Sequence, residues 1–136
     1  MNFFEEIVHE HLTGDLRLLV KPNLVVQQDE NGRPWSAQID LVALDLAHKT
    51  IYLVEVTGIR GVQKYLDAKL KPDNRRTIEA WALKDLSLGG LGFPIKWWLY
   101  VRKAFVSKTE QLPNIREMIS HKICEVRPLE DLLEAR

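Results

Sequence analysis

The stretch "AQIDLVALDLAHKTIYLVEVTGIRG", residues 37–61, sets two carboxylates, Asp40 and Glu55, inside otherwise apolar, strand-like runs. Residues 36–45 and 50–57 are rich in Ile, Val, Leu and Tyr, and the short "LAHK" between them gives a hairpin signal. A turn that places Asp45 opposite Thr50 also places Asp40 opposite Glu55. Side chains directly opposite share a face, with β-carbons about 4.5–5.5 Å apart. Alternation then groups Val42 and Leu44 with Asp40, and Ile51, Leu53 and Thr57 with Glu55. Two acids facing each other on an apolar surface repel and lose hydration, so one takes a raised pKa unless a cation bridges them. A divalent ion meets that need, because Mg²⁺ takes one or two carboxylates and completes its shell with water and phosphate. The alternative reading is a pair of structural acids, with Asp40 facing solvent at an edge.

Around this hairpin the pattern alternates. Residues 2–13 read as a helix ended by Gly14-Asp15, with Phe3, Phe4, Ile7, Val8, His11 and Leu12 on one broad face. Residues 16–28 are strand-like, and Pro22 implies an edge, bend or bulge; "DENGRP" at 29–34 is a turn cluster. From Gly61 the period becomes helical, with Val62, Tyr65, Leu66, Lys69 and Leu70 forming a stripe that Pro72 interrupts. A second helix is expected over 74–87, capped by Asp73. A loop, a strand over 95–106, a helix over 112–122, a short strand over 123–128 and a closing helix over 129–136 complete the chain. Helix, three meandering strands, then strands alternating with helices predict an α/β or α+β sheet sandwiched by helices.

At 136 residues the simplest organisation is a single domain over 1–136, with no separate recognition domain. Acids and bases balance at 19 each, so overall charge draws the chain to neither nucleic acid nor membrane. No apolar run approaches the roughly 20 residues of a membrane helix. The acidic, amphipathic N-terminus is unlike a signal peptide, and a reducing, cytoplasmic setting is expected. The single cysteine, Cys124, excludes an intrachain disulfide or a multi-cysteine zinc site and reads as core.

The arrangement resembles the PD-(D/E)xK, or restriction-endonuclease-like, nucleases. "QID" at 38–40 and "YLVEVT" at 52–57 are similar to their motif, with 14 residues between the acids. The resemblance covers roughly residues 2–105. It implies an α/β fold with a restriction-endonuclease-like core, a mixed β-sheet of αβββαβ order flanked by helices, extended here by a C-terminal helix-strand-helix. It further implies a Mg²⁺- or Mn²⁺-dependent deoxyribonuclease in which Asp40, Glu55 and the carbonyl of Val56 bind metal. The first-helix glutamate of many members would be Glu6 or Glu10. The departure is Thr57, which stands where the family usually has its catalytic lysine. Three explanations stand open: a base from the next helix, Arg60 or Lys64; a second metal working with Thr57; or a degenerate site in a module that binds nucleic acid or a protein. DNA is the expected partner, and cleavage is expected to need a homodimer or a partner subunit.

Residues 60–76 hold six bases, Arg60, Lys64, Lys69, Lys71, Arg75 and Arg76, against two acids, and read as a phosphate-contacting patch. Gln63 and Tyr65 do not match the Q-x-x-x-Y spacing of some family branches, and Tyr65 is expected to pack. No histidines have zinc-site spacing. Trp97 and Trp98 are expected on opposite faces of one strand.

Overall fold

The middle layer of the molecule is a mixed five-stranded sheet in sequential order, β1 (Leu19–Gln28), β2 (Pro34–Asp45), β3 (Thr50–Thr57), β4 (Ile95–Val101) and β5 (Cys124–Pro128). The computed structural model describes residues 1–58 and 63–134. The first three strands are antiparallel neighbours, whereas β3–β4 and β4–β5 pair in parallel. Parallel neighbours need long crossovers, which helices supply. Helices α2 (Gln63–Lys69) and α3 (Pro72–Asp85) connect β3 to β4. Helices α4 (Val106–Glu110) and α5 (Pro113–Ser120) connect β4 to β5.

Two apolar layers sandwich the sheet. Leu66, Ile78, Ala82, Ile115 and Met118 from α2, α3 and α5, with Leu70 from the α2–α3 turn, cover one face, against Ile51, Leu53, Trp97 and Leu99. The opposite face is covered by α1 (Phe3–Glu10), its π-helical extension His11–Asp15, and α6 (Leu129–Glu134). There Ile7, Val8, Leu12, Leu129 and Leu132 meet Val54, Val56, Trp98 and Tyr100. The central strand β3 is therefore buried on both sides, which explains its nearly unbroken apolar run. Trp97 and Trp98 point to opposite faces, as alternation requires. Cys124 is buried, and burial pushes its thiol up to about 12, as suits a packing residue.

Several boundaries differ from the sequence reading. Helix α3 begins at Pro72, with Lys71 at the cap position, and not at residue 74 behind Asp73. Proline at the first helical position has its φ already set and lacks only an N–H that would have no helical partner. The strand expected over 95–106 stops at Val101, because 103–105 turn into a 3₁₀ segment leading into α4. Pro22 lies on the edge strand β1, where a missing donor is tolerated. Among the described residues, no helix is long and apolar enough to cross a membrane.

The β1–β2 hairpin changes face partway along. Trp35, Ala37 and Ile39 face the α2–α3 layer, but so do Val42 and Leu44, while Leu41 and Ala43 face α1. Strand β1 does the same: Leu24 and Val26 face one layer and Val20 the other. The switch falls at Asn23, whose φ is 64°, and at its neighbour across the pair, Asp40. Asn tolerates this left-handed conformation better than most residues. Because both strands switch together, Leu24 still pairs with Ile39 and Val20 with Ala43.

Helix α2 is held by an interaction remote in sequence. The buried Asp67 accepts the backbone N–H groups of Asn114 and Ile115 through Oδ1, each at 3.0 Å, so it caps α5 from outside. Asn114 returns its side-chain amide to Asp67 Oδ2 at 3.2 Å. Removing this carboxylate strands the buried Ile115 N–H and the half-buried Asn114 N–H. Asp67→Ala is therefore expected to destabilise the chain by about 2–3 kcal/mol in urea unfolding, with Asp67→Asn losing less.

Candidate metal centre at the end of the β2–β3 ladder

The observed β2–β3 pairing has Asp45 opposite Thr50 and ends, at its other extremity, with Leu41 opposite Val54. One step beyond, side chains replace the backbone ladder. Asp40 Oδ2 accepts the N–H of Val56 at 2.8 Å, and Glu55 Oε1 accepts the N–H of Asp40 at 3.3 Å. Each acid thus satisfies a backbone donor on the opposing strand. The face switch explains Asp40's part: lying between Ile39 on one face and Leu41 on the other, it turns into the fork between the strands. The expectation that Asp40 shares a face with Val42 and Leu44 is corrected accordingly.

Glu55 is 6% exposed and looks toward α2. There Lys69 Nζ donates to Glu55 Oε2 at 3.1 Å and to the carbonyl of Gln38 at 2.7 Å. Burial raises the Glu55 pKa to about 7; Lys69 offsets part of that rise, and the charge of Asp40 adds to it. Burial also raises Asp40, against the lowering pull of the Val56 N–H and Lys69.

From the other side Glu5 of α1 approaches Asp40. Its carboxyl is raised by burial and then by the Asp40 charge. Met1, Glu5, Pro22, Asn23, Gln38 and Asp40 line a cleft of about 390 Å³ that opens this end of the site. Helix α1 sits hard against the end of β3: a Cβ added at Gly58 would lie 2.5 Å from the Phe4 ring. Glycine at 58 is what lets the helix start, and Glu5 with it, come this close.

The sequence-derived candidates are placed unevenly. Asp40, Glu55 and Val56 come together, although Val56 contributes its N–H to Asp40. Thr57 ends β3, half-buried opposite Val101. Glu10 and Glu6 are both exposed, and the glutamate beside Asp40 is Glu5. Phe3 misled the helical reading: it is 63% exposed, and the buried stripe runs through Phe4, Ile7, Val8 and Leu12. Lys64 is exposed, and Arg60 lies outside the described residues. The cation at the acids is Lys69, a residue the sequence places in the phosphate patch. A lysine three residues after Leu66, inside an apolar helical stripe, was the signal for it.

The rest of the basic segment is largely engaged. Arg75 lies 3.7 Å from Glu79, and Arg76 reaches Asp73 at 2.7 Å and Glu30 at 3.3 Å. Lys64 and Lys71 are exposed and form no ion pair among the described residues. Tyr65 does not pack but is 77% exposed. A separate cleft of about 470 Å³ lies between the α1 extension, β5 and α6, and contains none of these acids.

Among the described residues, no group of three or more His, Cys, Asp or Glu side chains is arranged to hold a metal ion. Asp40 and Glu55 together offer two carboxylates, a set that suits a hard ion completed by water and phosphate better than a protein-enclosed zinc. The residues fit such an ion: burial disfavours the charge on both carboxyls, Asp40 faces the open cleft, and one ammonium lies on Glu55.

No family model and no curated protein matches this sequence. A similar solved structure is the crystal structure of a protein of unknown function, AF1548, with a TM-score of 0.51 and 16% identity. The match covers 98% of this chain and 66% of that one, so the chain spans about two thirds of the AF1548 structure. At this identity the likeness shows the fold alone, an α/β architecture with a five-stranded mixed sheet flanked by helices.

Glu55 also sets a pH dependence. Its folded-state pKa of about 7 lies above the ordinary 4.5, so the fold favours the protonated acid. The corresponding stability is full below about pH 4.5 and is lost as pH rises through 7. In metal-free buffer, urea unfolding is expected to lose on the order of 3 kcal/mol across that window. Glu55→Gln should flatten the slope, whatever its absolute stability.

Proposed function

We propose that the chain is a metal-dependent phosphodiesterase acting on DNA, of the PD-(D/E)xK type, with Asp40 and Glu55 as the metal-binding acids. The observation that carries this reading is the reciprocal bonding of Asp40 and Glu55 across the strand fork, with Lys69 on Glu55. A bound Mg²⁺ or Mn²⁺ would activate water and offset charge on the leaving oxygen. The Val56 carbonyl is a further ligand by family likeness alone.

Lys69 takes the role that Thr57 cannot fill. Its ammonium comes from α2 and reaches Glu55, so it supplies positive charge at the acids from another element. There it can orient a water and stabilise the charge that builds on a phosphoryl oxygen. Glu5, its carboxyl raised by burial and then by the Asp40 charge, faces Asp40 across the cleft and can help position the attacking water. Lys64 and Lys71 stand exposed on the same chain segment to meet backbone phosphates. A second copy or a partner subunit completes the DNA-binding surface, and the working compartment is the reducing cytoplasm.

Thr57 favours a second reading, in which the fold is kept as a nucleic-acid- or protein-binding module without cleavage. Assays on linear, branched and single-stranded DNA with Mg²⁺ and with Mn²⁺ separate the two. Cleavage is expected with either ion. Asp40→Asn and Glu55→Gln should abolish both cleavage and calorimetric Mn²⁺ binding. Lys69→Met should lower cleavage on the order of 100-fold, whereas Lys64→Met should mainly weaken DNA binding and its salt dependence. A folded protein that cuts none of these substrates, yet binds DNA without metal, would establish the second reading.

A further inference from the structure

We infer that Lys69 is the resident cation of the acid pair in the metal-free protein, and that it gives up Glu55 when a divalent ion enters. Metal binding and release of Lys69 would then be one event. This rests on the metal-centre reading above and adds a form of regulation to it.

The argument follows the oxygens. Glu55 Oε1 accepts the Asp40 N–H, and Asp40 Oδ2 accepts the Val56 N–H, so both are held by strand backbone. Glu55 Oε2 is bonded by a side chain, the Lys69 ammonium. An ion approaching the pair can most readily take the oxygen whose partner is able to move. An ammonium and a divalent cation cannot both remain on that oxygen, since like charges at contact repel strongly in a site this dry. Lysine suits the exchange, with its compact charge on a flexible four-carbon stem. Its side chain is 26% exposed against 7% for Glu55, so it has a path outward that the acid lacks. The Gln38 carbonyl, 2.7 Å from Nζ, provides a second mooring on the strand that carries Asp40. Released from Glu55, the ammonium can stay on Gln38, which also lines the cleft beside Asp40. The same lysine would thus replace the metal before loading and stand beside the reacting phosphate after it.

Pulse labelling of the full chain with an amine-acylating reagent, read by peptide mass spectrometry, tests this with Mg²⁺ alone and no DNA. Exposed Lys64 serves as the internal reference. Mg²⁺ is expected to raise Lys69 labelling roughly fivefold, the equilibrium factor of a modest ion pair, with Lys64 unchanged. Glu55→Gln should raise Lys69 labelling without metal and make it insensitive to Mg²⁺. If calorimetry shows Mg²⁺ binding that Asp40→Asn abolishes, yet Lys69 labelling does not rise, the exchange is overturned and the metal centre stands. Failure of Glu55→Gln to unmask Lys69 in metal-free buffer overturns the exchange as well. Absence of any Mg²⁺ binding by the wild-type chain removes the metal centre itself, and the exchange with it.

Discussion

Lys69 bridges the Gln38 carbonyl on β2 and the Glu55 carboxylate on β3, and much of the surrounding structure serves to put it there. A carboxylate buried on the central strand is strongly unfavourable without a cation. The cation comes from α2, a helix of only seven residues that would be marginal alone. Its register is fixed two residues earlier by Asp67, which binds the start of α5. One short helix therefore carries two carboxylate connections, one to the other crossover and one to the site. The position of the ammonium is a tertiary property and not a local one.

The same logic explains what could be read in advance. The β2–β3 register was legible because a short turn between two apolar runs leaves few alternatives, and Asp45 opposite Thr50 carries Asp40 to Glu55. The succession of elements along the chain and the crossover helices followed from the change in apolar period after residue 61. Lys69 was legible only in part: its place in an apolar stripe was visible, but its partner depends on how α2 docks. Glu5 was missed because Phe3 looked like core, whereas the helix start lies over Gly58 through Phe4. The face switch at Asp40 could not be read from β2 at all, since it is shared with Asn23 on another strand. Alternation of apolar residues assumes an unbroken pleat, and that assumption failed at Asp40.

The basic segment shows why counting charges along the sequence overstates a surface. Arg75 and Arg76 contribute to the local excess of positive residues, yet each lies beside a carboxylate, Arg76 beside two. Exposed pairs of this kind contribute little to stability. They do lower the field that a polyanion would meet, and leave Lys64 and Lys71 as the open charges of this segment among the described residues. A replacement cation that comes from α2 also changes the site's dependencies. A lysine on β3 would be aligned by the sheet; one on α2 is aligned by whatever holds that helix.

The coordinated face change of β1 and β2 has an evolutionary corollary. Adding or deleting one residue in either strand between its two halves would move one side of the switch without the other. Apolar side chains would be thrown into water on one strand only, and Asp40 would leave the fork. Length changes in this hairpin can therefore be accepted only as matched pairs, or out at the "DENGRP" tip, where neither core layer is touched. Relatives of this chain should vary freely in length at that tip and keep the Asn23 and Asp40 positions opposite each other, even where little else of the sequence survives.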